Sequence, residues 1–478
     1  MNAPHSYDYD VLIIGAGSAG LAALRAVRRH TQRFALIDAG PWGTTCARVG
    51  CMPSKLLLEA AHAYERRHQF ETFGVRGADQ LRADVPAVLQ RVRDERDRFV
   101  AGVLKSTEAL GPRAIQGRAR IVDPHTVEID GQRRLSARSL VIATGSKPHV
   151  PEEWQTLGPR LLTTDTLFEQ PDLPRRMAVL GLGPLGTEMA QALAQLGIEV
   201  TAFHASTTLA GLADPKVNAA LRQSLERSMQ LQVGQTPALG ESGPAGFTIH
   251  AGDFSTQVDA VLAATGRRPA IEGLGLENLG IAFDPHGLPE IDRHTMQLEQ
   301  LSVFWAGDVN PDRALLHEAA DEGEIAGSNA VAEHPRAYKR RTPLAITFTE
   351  PSVATVGLAY DDHWSDEVAI GAVDFAHQGR ARMGLRNEGV LRLYARRDGG
   401  ELLGAQLCAP AGEHLAHLLA WAIARGSSVA ELLELPFYHP VIEEGLRTAL
   451  RDVQAHVHAA RDTAPPAYCA PSDLDGLE

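Results

Sequence analysis

Apolar positions along the chain gather in short runs that end on glycine, and these runs predict strands joined by helices. Tyr9-Asp10-Val11-Leu12-Ile13-Ile14 is rich in β-branched and aliphatic residues and enters Gly15-Ala16-Gly17-Ser18-Ala19-Gly20, after which Leu21 to Arg29 reads as a helix. A second apolar run, Phe34 to Ile37, ends on Asp38. The same order recurs at Met177 to Leu180, followed by Gly181-Leu182-Gly183-Pro184-Leu185-Gly186, a helix from near Thr187 to Leu196 and a strand from Glu199 to Phe203. From near Thr342 no such glycine turn is found. There, strands over Pro343 to Phe348, Gly389 to Tyr394 and Leu402 to Leu407 precede a helix across Glu413 to Ala424.

Strand, glycine turn and helix in this order make a Rossmann-like unit. The first glycine permits the tight turn, the second lets the backbone approach a pyrophosphate, and the third lets helix pack on strand, with the helix N-terminus facing the phosphates. The chain is therefore expected to be α/β with two dinucleotide-binding domains, one built on Gly15, Gly17 and Gly20 and the other on Gly181, Gly183 and Gly186. Asp38 follows the first motif by about 20 residues, the place for a carboxylate that accepts hydrogen bonds from ribose hydroxyls. The second motif has His204 there instead, and Ala205-Ser206-Thr207-Thr208 supplies no arginine for a 2′-phosphate. NAD and NADP both stay open, and His204 reads either as a contact to ribose or phosphate or as a plain surface histidine.

A length of 478 residues leaves room for about three domains. The formal charge of −13, from 59 acidic and 46 basic residues, argues against nucleic acid or an anionic membrane surface as partner. No apolar stretch has the length of a membrane span, and the start MNAPHSYDYDVLIIG lacks the pattern of a secretory signal, so a cytoplasmic protein is expected. Four cysteines are too few for a disulfide scaffold. Cys408 reads as a core residue and Cys469 as a passenger in the tail, residues 463–478, which is expected to be mobile.

Cys46 and Cys51 call for a chemical explanation. They sit in Gly43-Thr44-Thr45-Cys46-Ala47-Arg48-Val49-Gly50-Cys51-Met52-Pro53-Ser54-Lys55, ahead of a helix-like run from Leu56 to Tyr64. A zinc site would want further ligands at recognisable spacing, with only the isolated His62 and His68 nearby. A structural disulfide suits an oxidising compartment. A redox dithiol fits best, because neighbouring charge and a helix terminus can make a thiolate that attacks a disulfide.

With this pair, the FAD-type glycine motif and the internal nicotinamide-type motif, the chain resembles the class I pyridine nucleotide–disulfide oxidoreductases from about Tyr9 to Leu450, and among them the dihydrolipoamide dehydrogenases most. The resemblance implies an FAD-binding domain over 1–150 and 272–340, an NAD(P)-binding domain over 151–271 and an α+β dimerisation domain over 341–462. It implies Cys51 as the thiol nearer the flavin and Cys46 as the thiol that exchanges with substrate. Lys55 would lie near the flavin and pair with Glu188. Thr144 and Gly145 in the Ala143-Thr144-Gly145 crossing, Gly266 in the second crossing, Gly117, and Asp308 after Val303 to Gly307 would serve the cofactors. His439 in Phe437-Tyr438-His439-Pro440 would be the base, oriented by Glu444. In such enzymes this dyad reaches the partner subunit's dithiol, so a homodimer is implied.

The implied reaction passes electrons from dihydrolipoamide, free or on a lipoyl-bearing protein, through the dithiol and FAD to NAD(P)+. Gly43-Thr44-Thr45, Ala47-Arg48 and His204 depart from the commonest dihydrolipoamide dehydrogenase pattern. A mercuric reductase would carry a vicinal cysteine pair near its C-terminus and lack the histidine, and a glutathione reductase would show arginines after the second nicotinamide-domain strand. Another reading makes the chain chiefly a flavoprotein subunit of a lipoyl-protein assembly.

Overall fold

The computed structural model describes residues 7–243, 246–364 and 366–458. Cys469 and the tail over 463–478 lie outside the described residues. The chain divides into two units: residues 1–57, 84–173 and 265–340 form the first, and 58–83, 174–264 and 341–478 the second.

The first unit is built on a seven-stranded sheet. Tyr9–Ile14 lies at its centre, parallel to Phe34–Asp38 on one side and to Arg133–Ile142 on the other, with Ile13 level with Leu36 and Val141. Val303–Trp305 also runs parallel to Arg133–Ile142. The central strand is apolar at consecutive positions because both faces are covered: Val11 and Ile13 pack with Ala19, Ala23, Phe304 and Ala326, while Leu12 and Ile14 pack with Ile121, Val127 and Trp305. Helices Ser18–Arg28 and Leu316–Val331 cross almost backbone to backbone, since a Cβ on Gly323 would overlap the Ala19 carbonyl and one on Gly327 that of Ala23.

The second unit carries another parallel arrangement, with Glu199–His204 between Gln230–Val233 and Arg176–Leu180, and Ala260–Ala263 beyond. The strand expected to stop at Phe203 thus takes in His204, and the helix expected near Thr187 starts at Pro184, where proline is tolerated in the first turn. The C-terminal part is a five-stranded antiparallel sheet in the order Leu344–Thr347, Ser352–Gly357, Leu402–Ala409, Val390–Arg396, Val368–Asp374. Leu415, Leu419, Leu446 and Leu450 from helices Gly412–Ala424 and Glu444–Gln454 close its core. Cys408 is buried on one of these strands, as expected of a core residue, and burial pushes its thiol up to about 12.

Buried Asp214 joins the two parts of this unit. It caps helix Pro215–Leu225 by accepting from Lys216 N–H and also accepts from Arg392 Nε at 2.7 Å and Tyr394 Oη at 2.9 Å. Among the described residues no helix is long and apolar enough to cross a membrane.

Candidate active site

The two glycine turns have the same build. A Cβ on Gly20 would overlap the Gly15 carbonyl oxygen and one on Gly186 that of Gly181, so both helices pack where only glycine fits. Gly15 and Gly181 take positive φ, and their N–H groups donate to Ile37 and Phe203 of the neighbouring strands. At Gly17 and Gly183 a Cβ would meet nothing within 4 Å, which leaves an open cradle above each turn. The helices Ser18–Arg28 and Pro184–Gln195 start on these glycines without a side-chain cap, so their first N–H groups are left for a phosphate.

Asp38 ends its strand beside the first cradle, where its carboxylate accepts from Ala16 N–H at 2.5 Å and Gly40 N–H at 2.6 Å. Those two bonds leave lone pairs for ribose hydroxyls. Gly117 donates to the Asp38 carbonyl and leaves no room for a side chain beside Ile129 and Asp130. The Thr144 hydroxyl is buried without a hydrogen-bond partner, and Gly145 beside it has open space at its Cβ position. These features fit FAD: a capless helix, an open glycine cradle, a carboxylate with spare acceptors and an orphaned hydroxyl are all met by a bound dinucleotide.

Asp308 is held through neighbours that the sequence did not single out. Its carboxylate accepts from the Ser146 hydroxyl at 3.2 Å, and that hydroxyl accepts from Arg267 Nε at 2.8 Å. The turn before it is pinned by buried Glu322, which accepts from Gly307 N–H at 2.9 Å and Asn310 Nδ2 at 3.2 Å. Burial raises the Glu322 carboxyl above the usual range against the pull of Gly307 and Arg340. Gly266, at the other crossing, has positive φ, open space at its Cβ position and a carbonyl that accepts from His149 N–H.

The dithiol is assembled by two adjoining helices. Cys46 sits in the short helix Thr45–Arg48, capped by Thr44, whose hydroxyl accepts from Ala47 N–H at 3.2 Å. Cys51 is the first residue of the helix Cys51–Glu65, which begins well before the expected Leu56. Pro53 does not prevent this, because an N–H in the first turn has no partner to lose. Gly50 between the cysteines sits in a tight space: a Cβ there would come within 3.1 Å of Cys46 Cα, so the neighbouring backbone would have to give. Both cysteines are in the thiol form, and their mutual hydrogen bond, with burial, pushes Cys46 well above the usual thiol range, Lys55 pulling the other way.

His439 and Glu444 are brought together in the second unit. Nδ1 of the exposed imidazole lies 3.1 Å from each Glu444 carboxylate oxygen, so in the neutral ring Nδ1–H donates and Nε2 keeps its lone pair. The Glu444 carboxyl is held below its usual range, chiefly by the bond with His439, then by Val441 N–H and the charge of Arg447. Arg447 was missed in the sequence, although it follows Glu444 by three helical positions. Buried Glu188 accepts from Phe348 N–H at 2.9 Å. Lys55 lies in the first unit and Glu188 in the second. The imidazole of His204 accepts from Leu182 N–H at 3.2 Å through Nδ1.

Residues 9–323 match the family described as pyridine nucleotide-disulphide oxidoreductase, and residues 344–450 match its dimerisation domain. A dihydrolipoyl dehydrogenase of Geobacillus stearothermophilus is 29% identical over 91% of this chain and 94% of its own. A mercuric reductase of Staphylococcus aureus is 28% identical over 92% of this chain and 82% of its own. The solved structure of the HOCl-induced flavoprotein disulfide reductase RclA from Escherichia coli superposes with a TM-score of 0.80 at 23% identity, covering 93% of this chain and 99% of that one. The chain belongs to the pyridine nucleotide–disulfide oxidoreductases, flavoprotein enzymes that bind FAD and NAD(P).

Proposed function

We propose that the chain is a dihydrolipoamide dehydrogenase that works as a homodimer, with Cys46 and Cys51 as its redox disulfide and His439 and Glu444 as its proton-handling dyad. The observation that carries this reading is the dyad itself, an imidazole bonded through Nδ1 to a carboxylate while Nε2 stays open. Oxidising a dithiol near neutral pH needs a base for each thiol proton, whereas reducing a metal ion does not.

In the oxidised protein a substrate thiol gives its proton to His439 Nε2, and its sulfur attacks Cys46 Sγ. The Cys46–Cys51 bond breaks and Cys51 leaves as thiolate, at the start of a helix where negative charge is favoured. The second substrate thiol then attacks the mixed disulfide, releasing cyclic disulfide product and the Cys46 thiol. Cys46 holds its proton firmly beside Cys51, which suits it to exchange assisted by a base. Glu444 keeps the imidazole turned and stabilises its charged form. FAD, when bound, supplies the two-electron link between the dithiol and the nicotinamide coenzyme. Asp38, Thr144 and Asp308 would hold it, and the cradle at Gly183 would take the coenzyme.

The homodimer is supported by the matched dimerisation domain and by exposed apolar residues there, Leu418, Trp421, Leu435 and Tyr438. The test is oxidation of dihydrolipoamide by the purified FAD-bound protein with NAD+ and with NADP+, using Cys46→Ser as the blank. Turnover that vanishes in the blank is the expected result. No turnover, with flavin still reduced by NADH or NADPH, would contradict the dihydrolipoamide assignment and direct the search to another disulfide or to mercuric ion.

A further inference from the structure

The two dinucleotide motifs differ at the position where a Rossmann unit carries its ribose-binding carboxylate, and the difference is chemical. Asp38 follows Ala16 by 22 residues and accepts from its N–H; His204 follows Leu182 by 22 residues and accepts from its N–H. His204 thus stands in the place of the carboxylate and takes over its bond to the glycine turn. We propose that His204 meets the adenosine ribose of the nicotinamide coenzyme without the negative charge of a carboxylate, so that a 2′-phosphate is tolerated instead of repelled. This rests on the reading that the Gly183 cradle binds the nicotinamide coenzyme.

The tautomer follows from the geometry. Because Nδ1 accepts from Leu182 N–H, the ring proton of the neutral imidazole is on Nε2, which can only donate. A carboxylate here accepts from ribose hydroxyls and opposes a phosphate of charge about −1.5 to −2. An imidazole in its place sets no negative charge against that phosphate. Burial lowers the His204 pKa against a backbone hydrogen bond with Thr208 that raises it, and no charged side chain contributes to the shift. The following segment neither repels nor clamps a phosphate: Ala205, Ser206 and Thr207 are exposed and uncharged, and the Ser206 hydroxyl accepts from Thr208 N–H. The sequence alone showed that the acid was missing; the bond to Leu182 shows that the histidine has replaced it.

The test is calorimetric binding of NAD+ and of NADP+ to the FAD holoenzyme, without any dithiol substrate. The wild-type dissociation constants are expected to lie within about tenfold of each other, since no charged group selects. His204→Glu, which can still accept from Leu182 N–H, is expected to weaken NADP+ relative to NAD+ by about tenfold or more. His204→Asn, which keeps one acceptor and one donor, is expected to preserve the wild-type ratio. An unchanged ratio in His204→Glu, or a wild-type preference beyond about 100-fold, would overturn the assignment of His204. Failure of the wild type to bind either coenzyme would instead overturn the coenzyme site on which it rests.

Discussion

Cys46 is the residue on which the chemistry turns, and its environment makes a definite prediction. Its thiol is pushed up first by the hydrogen bond with Cys51 and next by burial. In Cys51→Ala the first of these causes is gone and the second remains. The midpoint of Cys46 ionisation therefore moves down, and at a fixed pH near 8 more of it is thiolate. Alkylation by iodoacetamide, followed against pH by mass spectrometry, should be faster for Cys46 in the variant than in the reduced wild type, with its profile displaced toward acid. A slower reaction would contradict the picture of a shared proton. The cysteine pair was legible in the sequence because two thiols so near each other have few structural uses. The tight space at Gly50, and the Thr44 cap, depend on where the two helices meet, which residue spacing does not reveal.

At the scale of elements, the glycine turns and their strands were readable because strand, turn and helix form a local unit whose residues are neighbours in sequence. Long-range supports were not. Gly323 and Gly327 face Ala19 and Ala23 across some three hundred positions of chain, and Glu322 pins the Gly307 turn from a helix whose sequence carried no sign of that task. Asp214 is the strongest case, a helix cap that also gathers Arg392 and Tyr394 from a distant sheet. Asp214→Ala would leave the Arg392 guanidinium buried without its partner, at a cost of about 3–5 kcal/mol. The melting temperature of the holoenzyme should fall accordingly, while Asp214→Asn, which keeps one acceptor oxygen for the helix cap, should cost less. Equal melting temperatures for wild type and Asp214→Ala would show that this network contributes little.

For the whole molecule, the two halves of the chemistry lie in different units of the chain, the dithiol in one and the dyad in the other. In a homodimer whose dyad serves the partner's dithiol, Cys46→Ser and His439→Ala are each inactive alone yet complementary. Unfolded together and reassembled, half of the dimers are mixed and each mixed dimer has one intact site, so about a quarter of wild-type turnover should return. No recovery, with mixed dimers present, would place the dyad on its own chain's dithiol.

Electron transfer between the nicotinamide coenzyme and the Cys46–Cys51 pair can be read by thiol trapping. The air-oxidised FAD holoenzyme is mixed anaerobically with one equivalent of NADH or NADPH, quenched with an alkylating agent under native conditions and mapped by mass spectrometry. Cys46 and Cys51 should gain label together, in proportion to coenzyme consumed, while buried Cys408 stays unlabelled. Coenzyme consumed and flavin reduced with the Cys46–Cys51 disulfide intact would contradict it.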